Sequence, residues 1–396
     1  MKVCLLSMVE IKMFPRMLKI AASLLNRGYR VVAVCFKRHE ELQDEEVYKG
    51  ILIRRTGPLI KIRGRVSQLP ILKTLAIIPF LVKALREKAD IYHCFHFQAL
   101  LVGAIIRKFL RIKALLYDGL EDYPFTLSRH YHETLKIPRG LLRHFVLSLE
   151  LNIIRKFVDF VFTVDSVDGI PYKRYKMVSK NVMIIQNVPE LKVDVDEELK
   201  RKLIAKYKDY KLVVYVGAIH KIRGCLNMIK AMRYVIEEVP NAKLIMIGPI
   251  TDADFLREAT KIIEQYNLND NIEFLGIIPY SELHTYLSLC HVGLCSYLYI
   301  PVRGTKGSSK LFLYMRAGLP VIASDFPGIK AIIEDAKCGI LVDPTNVEEI
   351  AKAIIKLLKD PELAKQMGAN GRRAIMEKYN WEREESKIMK AYEGMM

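Results

Sequence analysis

The sequence predicts an α/β protein of two doubly wound, Rossmann-like domains facing each other across a cleft. Three observations lead there. Short, continuous apolar runs alternate with helical patterns along almost the whole chain, the signature of strands buried on both faces of a parallel sheet. That alternation breaks once, at VPELKVDVDEELKRK (188–202), where charge replaces apolar residues, and then restarts. A length of 396 residues is too great for one ordinary core and suits two.

The elements follow in order. KVCLLSM, the helix PRMLKIAASLLNRG ended by its glycine, and RVVAVCF form a βαβ unit at the start. ILIRR (51–55), DIYHCF (90–95), KALLYD (113–118), DFVFTV (159–164) and VMIIQN (182–187) are further buried strands, with helices around 71–88, 98–110 and 140–157. After the linker the strands are KLVVYVG (211–217), AKLIMIG (242–248), IEFLG (272–276), VGLCS (292–296), PVIAS (320–324) and GILVD (339–343). The tail from Val347 is helical. This gives a first domain at 1–187, a linker at 188–210, a second domain at 211–375 and a closing helix at 376–396.

Composition excludes several classes. A hydrophobic fraction of 51% with 27% charged residues is that of a folded globular chain. The seven cysteines lie mostly in apolar runs without CxxC spacing, so buried thiols in a reducing cytosol are expected rather than disulfides or zinc. The apolar run at the N-terminus is too short for a signal peptide, and TLAIIPFLVKAL is interrupted by Pro79 and Lys83, so no span is expected. The net charge of +18 is uneven: residues 1–190 hold 32 Lys and Arg against 17 Asp and Glu, whereas the rest holds 30 against 27. From Arg54 to Lys88 cations alternate with apolar residues. That pattern fits an anionic membrane surface, and a merely solvated basic face is the alternative. Nucleic acid fits less well, because aromatic interleaving and helix-turn-helix or RNP signatures are missing, and no nucleic-acid partner is expected.

Three loops at strand ends of the second domain carry chemistry. YVGAIHKIRGCLNMIKA places Gly217, His220, Lys221, Arg223 and Gly224 between a strand and a helix; alone, it fits an ordinary βα turn with surface cations equally well. IMIGPI ends its strand at Gly248 and Pro249. KGSSKLFLYMRAGLPVIA (306–323) starts a helix at Ser308 and Ser309, stops it at Gly318, and bars its continuation with Pro320. Glycine turns, a fixed guanidinium and a free helix start together fit a diphosphate.

These residues resemble the retaining glycosyltransferases of family 4, which have the GT-B fold. Val216, Gly217, Arg223 and Gly224 match a strand-end V-G and K/R-G pattern; Lys310 to Ile322 match K-L-F-E-Y-M-x-x-G-x-P-V-I; Gly339 to Pro344 match G-x-L-V-x-P. FPRMLKIAASLLNRGYRV, YDGLEDYP and IIQNVPE resemble first-domain segments of one branch, and the final NWE resembles a tail helix that crosses back to the first domain. The resemblance implies a hexosyltransferase acting on a nucleotide-diphosphate sugar and a lipid-linked or glycan acceptor, with no metal or other cofactor. It implies a cytoplasmic protein, peripheral on the inner membrane face.

By the same resemblance Gly217, Arg223, Gly248, Ser308, Ser309, Lys310 and Leu311 hold the diphosphate, and Ile277 and Ile278 border the base. Arg223 would stabilise the leaving group. Asp118 and Glu121 would orient the acceptor hydroxyl, and capping a loop is the alternative for either acid. The chain departs from the pattern at Leu313, where a ribose-binding glutamate is usual, and at Thr305, Ala218 and Leu120. Two other functions share this fold: a GT-B subunit that binds or scaffolds without turnover, and a sugar-nucleotide epimerase.

Overall fold

The computed structural model describes residues 1–37, 41–57, 77–164, 166–192, 195–250, 252–298 and 308–395. The chain divides into two units, residues 1–186 with 384–396, and residues 187–383.

In the first unit the described strands are β1 (Lys2–Ser7), β2 (Arg30–Phe36), β3 (Glu45–Tyr48), β4 (Ile51–Thr56), β5 (Ile91–Phe95), β6 (Ala114–Gly119), β7 (Phe160–Thr163) and β8 (Val182–Ile184). They form one sheet in the order β3-β4-β2-β1-β5-β6-β7-β8, parallel except for β3. Helices Pro15–Asn26, Phe97–Phe109 and Arg139–Phe157 connect parallel strands. The apolar residues of the last two join those of the strands in a core around Tyr92, Leu100, Leu115, Tyr117 and Ile154. The helix expected around 71–88 is described from Ile77 to Arg86. Residues 58–76, most of the basic run Arg54–Lys88, lie outside the described residues, as does Thr305.

Three elements differ from the sequence reading. The edge strand β3, EEVY, carries no apolar run because its outer edge is solvated, and charge protects such an edge from pairing. Tyr123–Leu135 is helical, begun by Asp122, whose carboxylate accepts from the Phe125 N–H (3.2 Å). Within the expected linker, Glu197–Tyr207 is a helix capped by Asp196.

The second unit holds β9 (Lys211–Val216), β10 (Ala242–Ile247), β11 (Ile272–Gly276), β12 (Val292–Cys295), β13 (Val321–Ser324) and β14 (Gly339–Val342). Their order is β11-β10-β9-β12-β13-β14, all parallel. This is the doubly wound order in which the chain reverses direction at one point, here between β9 and β12. Apolar layers pack on both sheet faces, one against helices Cys225–Glu238 and Val347–Lys359, the other against Ser309–Ala317 and Pro327–Ala336.

Trp381 opens the last helix, Trp381–Glu393, and its backbone N–H donates to the Pro189 carbonyl (2.9 Å). Within the first unit, Gln186 N–H donates to Glu384 Oε2 (3.0 Å). All seven cysteines are buried and free. Among the described residues no helix is long and apolar enough to cross a membrane.

Candidate functional site

In the second unit the strand ends part at the reversal point. β9 and β12 pair only through Val213–Val292 and Val214–Gly293. Beyond them the Tyr314 hydroxyl stands in the ladder, accepting from Val216 N–H (2.9 Å) and donating to the Leu294 carbonyl (3.2 Å). A side chain at Gly293 would collide with the Tyr314 ring. The hydroxyl thus satisfies two backbone groups that separated strands would leave orphaned. It leaves an opening at the strand ends, where open α/β sheets take ligands.

Around that opening the predicted residues assemble. Gly217 follows β9 at φ +125°, and a Cβ there would strike the Lys310 side chain. Gly248 follows β10 at φ +142°, so close to Gly217 that a Cβ would strike its carbonyl. Both positions require glycine because the backbone is left-handed and the space is filled. The loop after Gly217 is shaped by His220, whose Nδ1 accepts from Ile222 N–H (3.2 Å), and Lys221 pairs with Glu258. Arg223 has no carboxylate partner among the described residues, and its guanidinium lies 5.7 Å from the Tyr297 ring centre.

Helix Ser309–Ala317 begins at the same edge. Phe312 is its first residue with an intrahelical bond, to Ser308 O (3.3 Å), so the N–H groups of Ser309, Lys310 and Leu311 have no acceptor within the helix. Ser308 does not cap through its side chain; its hydroxyl meets Tyr297 Oη (2.8 Å). Lys310 is buried instead of facing solvent. Its ammonium donates to Tyr215 Oη (2.9 Å) and lies 4.1 and 4.7 Å from the ring centres of Tyr215 and Tyr297. Burial pushes both tyrosine hydroxyls well above their ordinary pKa, so they stay neutral and the charge of the site is cationic.

Some predicted residues fall elsewhere. The Leu311 side chain is in the core, leaving only its N–H for a ligand. Ile278 packs against the same core, whereas Ile277 is 72% exposed beside the glycine turn at Gly276. Leu313 is half-buried against that core.

In the first unit, Asp118 ends β6 but is fully buried. Both its oxygens are taken by Arg16, through Nε (2.7 Å) and Nη2 (3.2 Å), and Arg16 Nη1 also donates to the Ile185 carbonyl (3.0 Å). Asp118 is placed as the partner of an internal ion pair. Glu121 is exposed. His93 lies 4.0 Å from Asp118 and burial pushes its pKa down to about 4, so it is neutral; its Nδ1 meets Tyr392 Oη at 2.8 Å.

Sequence reasoning passed over His96. It follows β5 at φ +76° and ψ +156°, backbone that residues other than glycine rarely hold, and it starts helix Phe97–Phe109. Its ring lies between Phe14 (5.3 Å) and Tyr123 (6.1 Å), and both His96 Nδ1 and Tyr123 Oη are buried without a hydrogen-bond partner among the described residues. The sequence carried only a weak signal, a histidine at a strand end. Arg16 was visible within FPR, but its partner lies 102 residues away.

Residues 196–374, the body of the second unit, match the family of glycosyl transferases group 1. An uncharacterized glycosyltransferase of Methanocaldococcus jannaschii is 27% identical over 197 residues, 50% of this chain and 48% of the relative. The match thus spans about half the length of that relative. Across the whole fold, sucrose-phosphate synthase from Thermosynechococcus elongatus aligns with a TM-score of 0.77 at 22% identity, covering 100% of this chain and 99% of its own. The Anabaena protein HepE, solved in complex with UDP, aligns at 0.75 and 16% identity, with 100% of both chains covered. The fold is GT-B, and residues 196–374 of the second unit match the glycosyl transferases group 1.

Proposed function

We propose that the protein moves a sugar, with retention, from a nucleotide-diphosphate donor to a lipid-linked or glycan acceptor at the cytoplasmic face of a membrane. The observation that carries this reading is the cationic opening between β9 and β12. There Arg223, Lys310 and the start of helix Ser309–Ala317 meet two glycine turns that let a ligand approach the backbone. The acceptor oxygen bonds to the anomeric carbon as the bond from the sugar to the diphosphate oxygen breaks; the leaving diphosphate takes the electron pair and the acceptor's proton. Its charge is met by Arg223 and the helix start, donors already oriented before reaction. No resident metal or other cofactor enters the proposal. HepE in complex with UDP supports a uridine donor as the first to try.

Thermal shift with UDP-, GDP- and ADP-sugars tests the reading, because a ligand that binds the folded state raises Tm by mass action. One donor should raise Tm and yield product with a lipid-linked or glycan acceptor. Absence of a shift with every donor would refute it. Leu313, where the family pattern has a carboxylate, favours a second reading, a binding subunit without turnover; a Tm shift without hydrolysis or transfer would select it.

A further inference from the structure

Helices Phe97–Phe109 and Arg139–Phe157 pack against one another in the first unit. They serve consecutive parallel crossovers, β5 to β6 and β6 to β7, and right-handed crossovers in one direction put both on the same face of the sheet. The outer surface of this pair is unusual in charge. The two helices contain six Lys and Arg and a single carboxylate, Glu150; Asp159, just past the second helix, pairs with Arg107. Glu150 does not reach the surface: it is buried and accepts from Tyr117 Oη (2.7 Å) and Tyr175 Oη (3.1 Å). Lys108, Arg155 and Lys156 are exposed and have no carboxylate partner among the described residues.

Large apolar side chains stand among these cations. Phe109 is 71% exposed, Leu141 69% and Phe145 61%, with Ile105 one turn before Phe109. Leu141 and Phe145 are four residues apart, on one side of their helix with Arg155 and Lys156, while Leu142, Val146, Leu149 and Ile153 face the core. Exposed aromatic and aliphatic groups amid cations that outnumber the acids are complementary to a surface that is anionic and has an apolar interior beneath it. Nucleic acid offers the charge but no interior for these side chains.

We propose that this two-helix face seats the first unit on an anionic lipid bilayer, with Phe109, Leu141 and Phe145 entering the interface and Lys108, Arg155 and Lys156 meeting lipid phosphates. Its residues are separate in sequence from the basic run Arg54–Lys88. It deepens the acceptor side of the function proposed above and rests on it for its purpose, but its test needs no substrate.

The probe is co-sedimentation of the full chain with phosphatidylglycerol-containing vesicles against pure phosphatidylcholine vesicles. Binding should require the anionic lipid and fall as salt rises from about 0.05 to about 0.5 M. Lys108→Gln with Arg155→Gln and Lys156→Gln should weaken it about fivefold per charge removed, and Phe109→Ser with Phe145→Ser by about tenfold or more. All five positions are exposed, so the variants should keep the wild-type Tm and any nucleotide-induced shift. Vesicle binding unchanged in both variants overturns the proposal, as does equal loss of binding to phosphatidylcholine, or a single-stranded oligonucleotide that binds tightly and is unaffected by the serine changes. A missing nucleotide shift alongside intact vesicle binding would refute the transferase reading and leave this surface standing.

Discussion

The two units share a doubly wound sheet but finish their strand ends in opposite ways. In the first, the end of β6 is sealed: Asp118 is locked by Arg16, and the guanidinium also gathers the carbonyls of Ile185 and Gln186. In the second, the ends of β9 and β12 are bridged by the Tyr314 hydroxyl, and Arg223 has no carboxylate partner among the described residues. Charge is thus paired internally in the first sheet but not, among the described residues, at Arg223 in the second. A shared doubly wound arrangement does not dictate what a strand end does; the side chains inserted there do.

Breaking the sealed end should have the largest effect. Arg16→Ala leaves Asp118 buried without its cation and should cost about 3–5 kcal/mol of stability, read by chemical denaturation. If the cost is below about 1 kcal/mol, Asp118 is reachable by water and becomes available again as an acceptor-orienting acid.

The sealed unit also carries a pH signature. Burial pushes Glu150 up to about 7 against the hydrogen bonds of Tyr117 and Tyr175, which act to lower it. Because its folded pKa lies above the unfolded value, its contribution is full below about pH 4.5 and is lost as pH rises through about 7. Stability should decline by roughly 3 kcal/mol over that window, and Glu150→Gln should flatten the profile.

The open end is sharpened by charge. Arg223→Ala should weaken nucleotide-diphosphate binding by about 2–3 kcal/mol and Arg223→Lys by less, since charge is kept and only the fork is lost. Titration calorimetry decides it; equal and negligible effects would remove Arg223 from the site. Tyr314→Phe should cost about 1–2 kcal/mol of stability by orphaning Val216 N–H and Leu294 C=O. The smallest change is expected from Leu313→Glu: half-buried, it should lower stability by about 1 kcal/mol. Nucleotide affinity measured on the same variant should tighten if the carboxylate reaches a ribose.

How much of this was legible follows from the same contrast. Strands buried on both faces read directly as apolar runs, so the cores of both sheets were visible, as were Gly217, Gly248 and Gly318, whose backbone conformation restricts the choice of residue. The edge strand β3 was not, because its burial alternates and its residues are charged. Tyr215, Tyr297 and Tyr314 carry the geometry of the open end, yet in sequence they look like core aromatics; only the hydroxyl partners distinguish them. Asp118 stood where an acceptor-orienting acid was expected, and the pairing that occupies it depends on an arginine far away in the chain.

The chain contains one tryptophan, and it is Trp381. Its indole is buried where the backbone ties back to Pro189, a few residues from both places at which the chain passes between the units. Tryptophan emission from this protein therefore comes from a single place, and a shift to longer wavelength on titration with denaturant or nucleotide would report water reaching that crossing, without any label having been added.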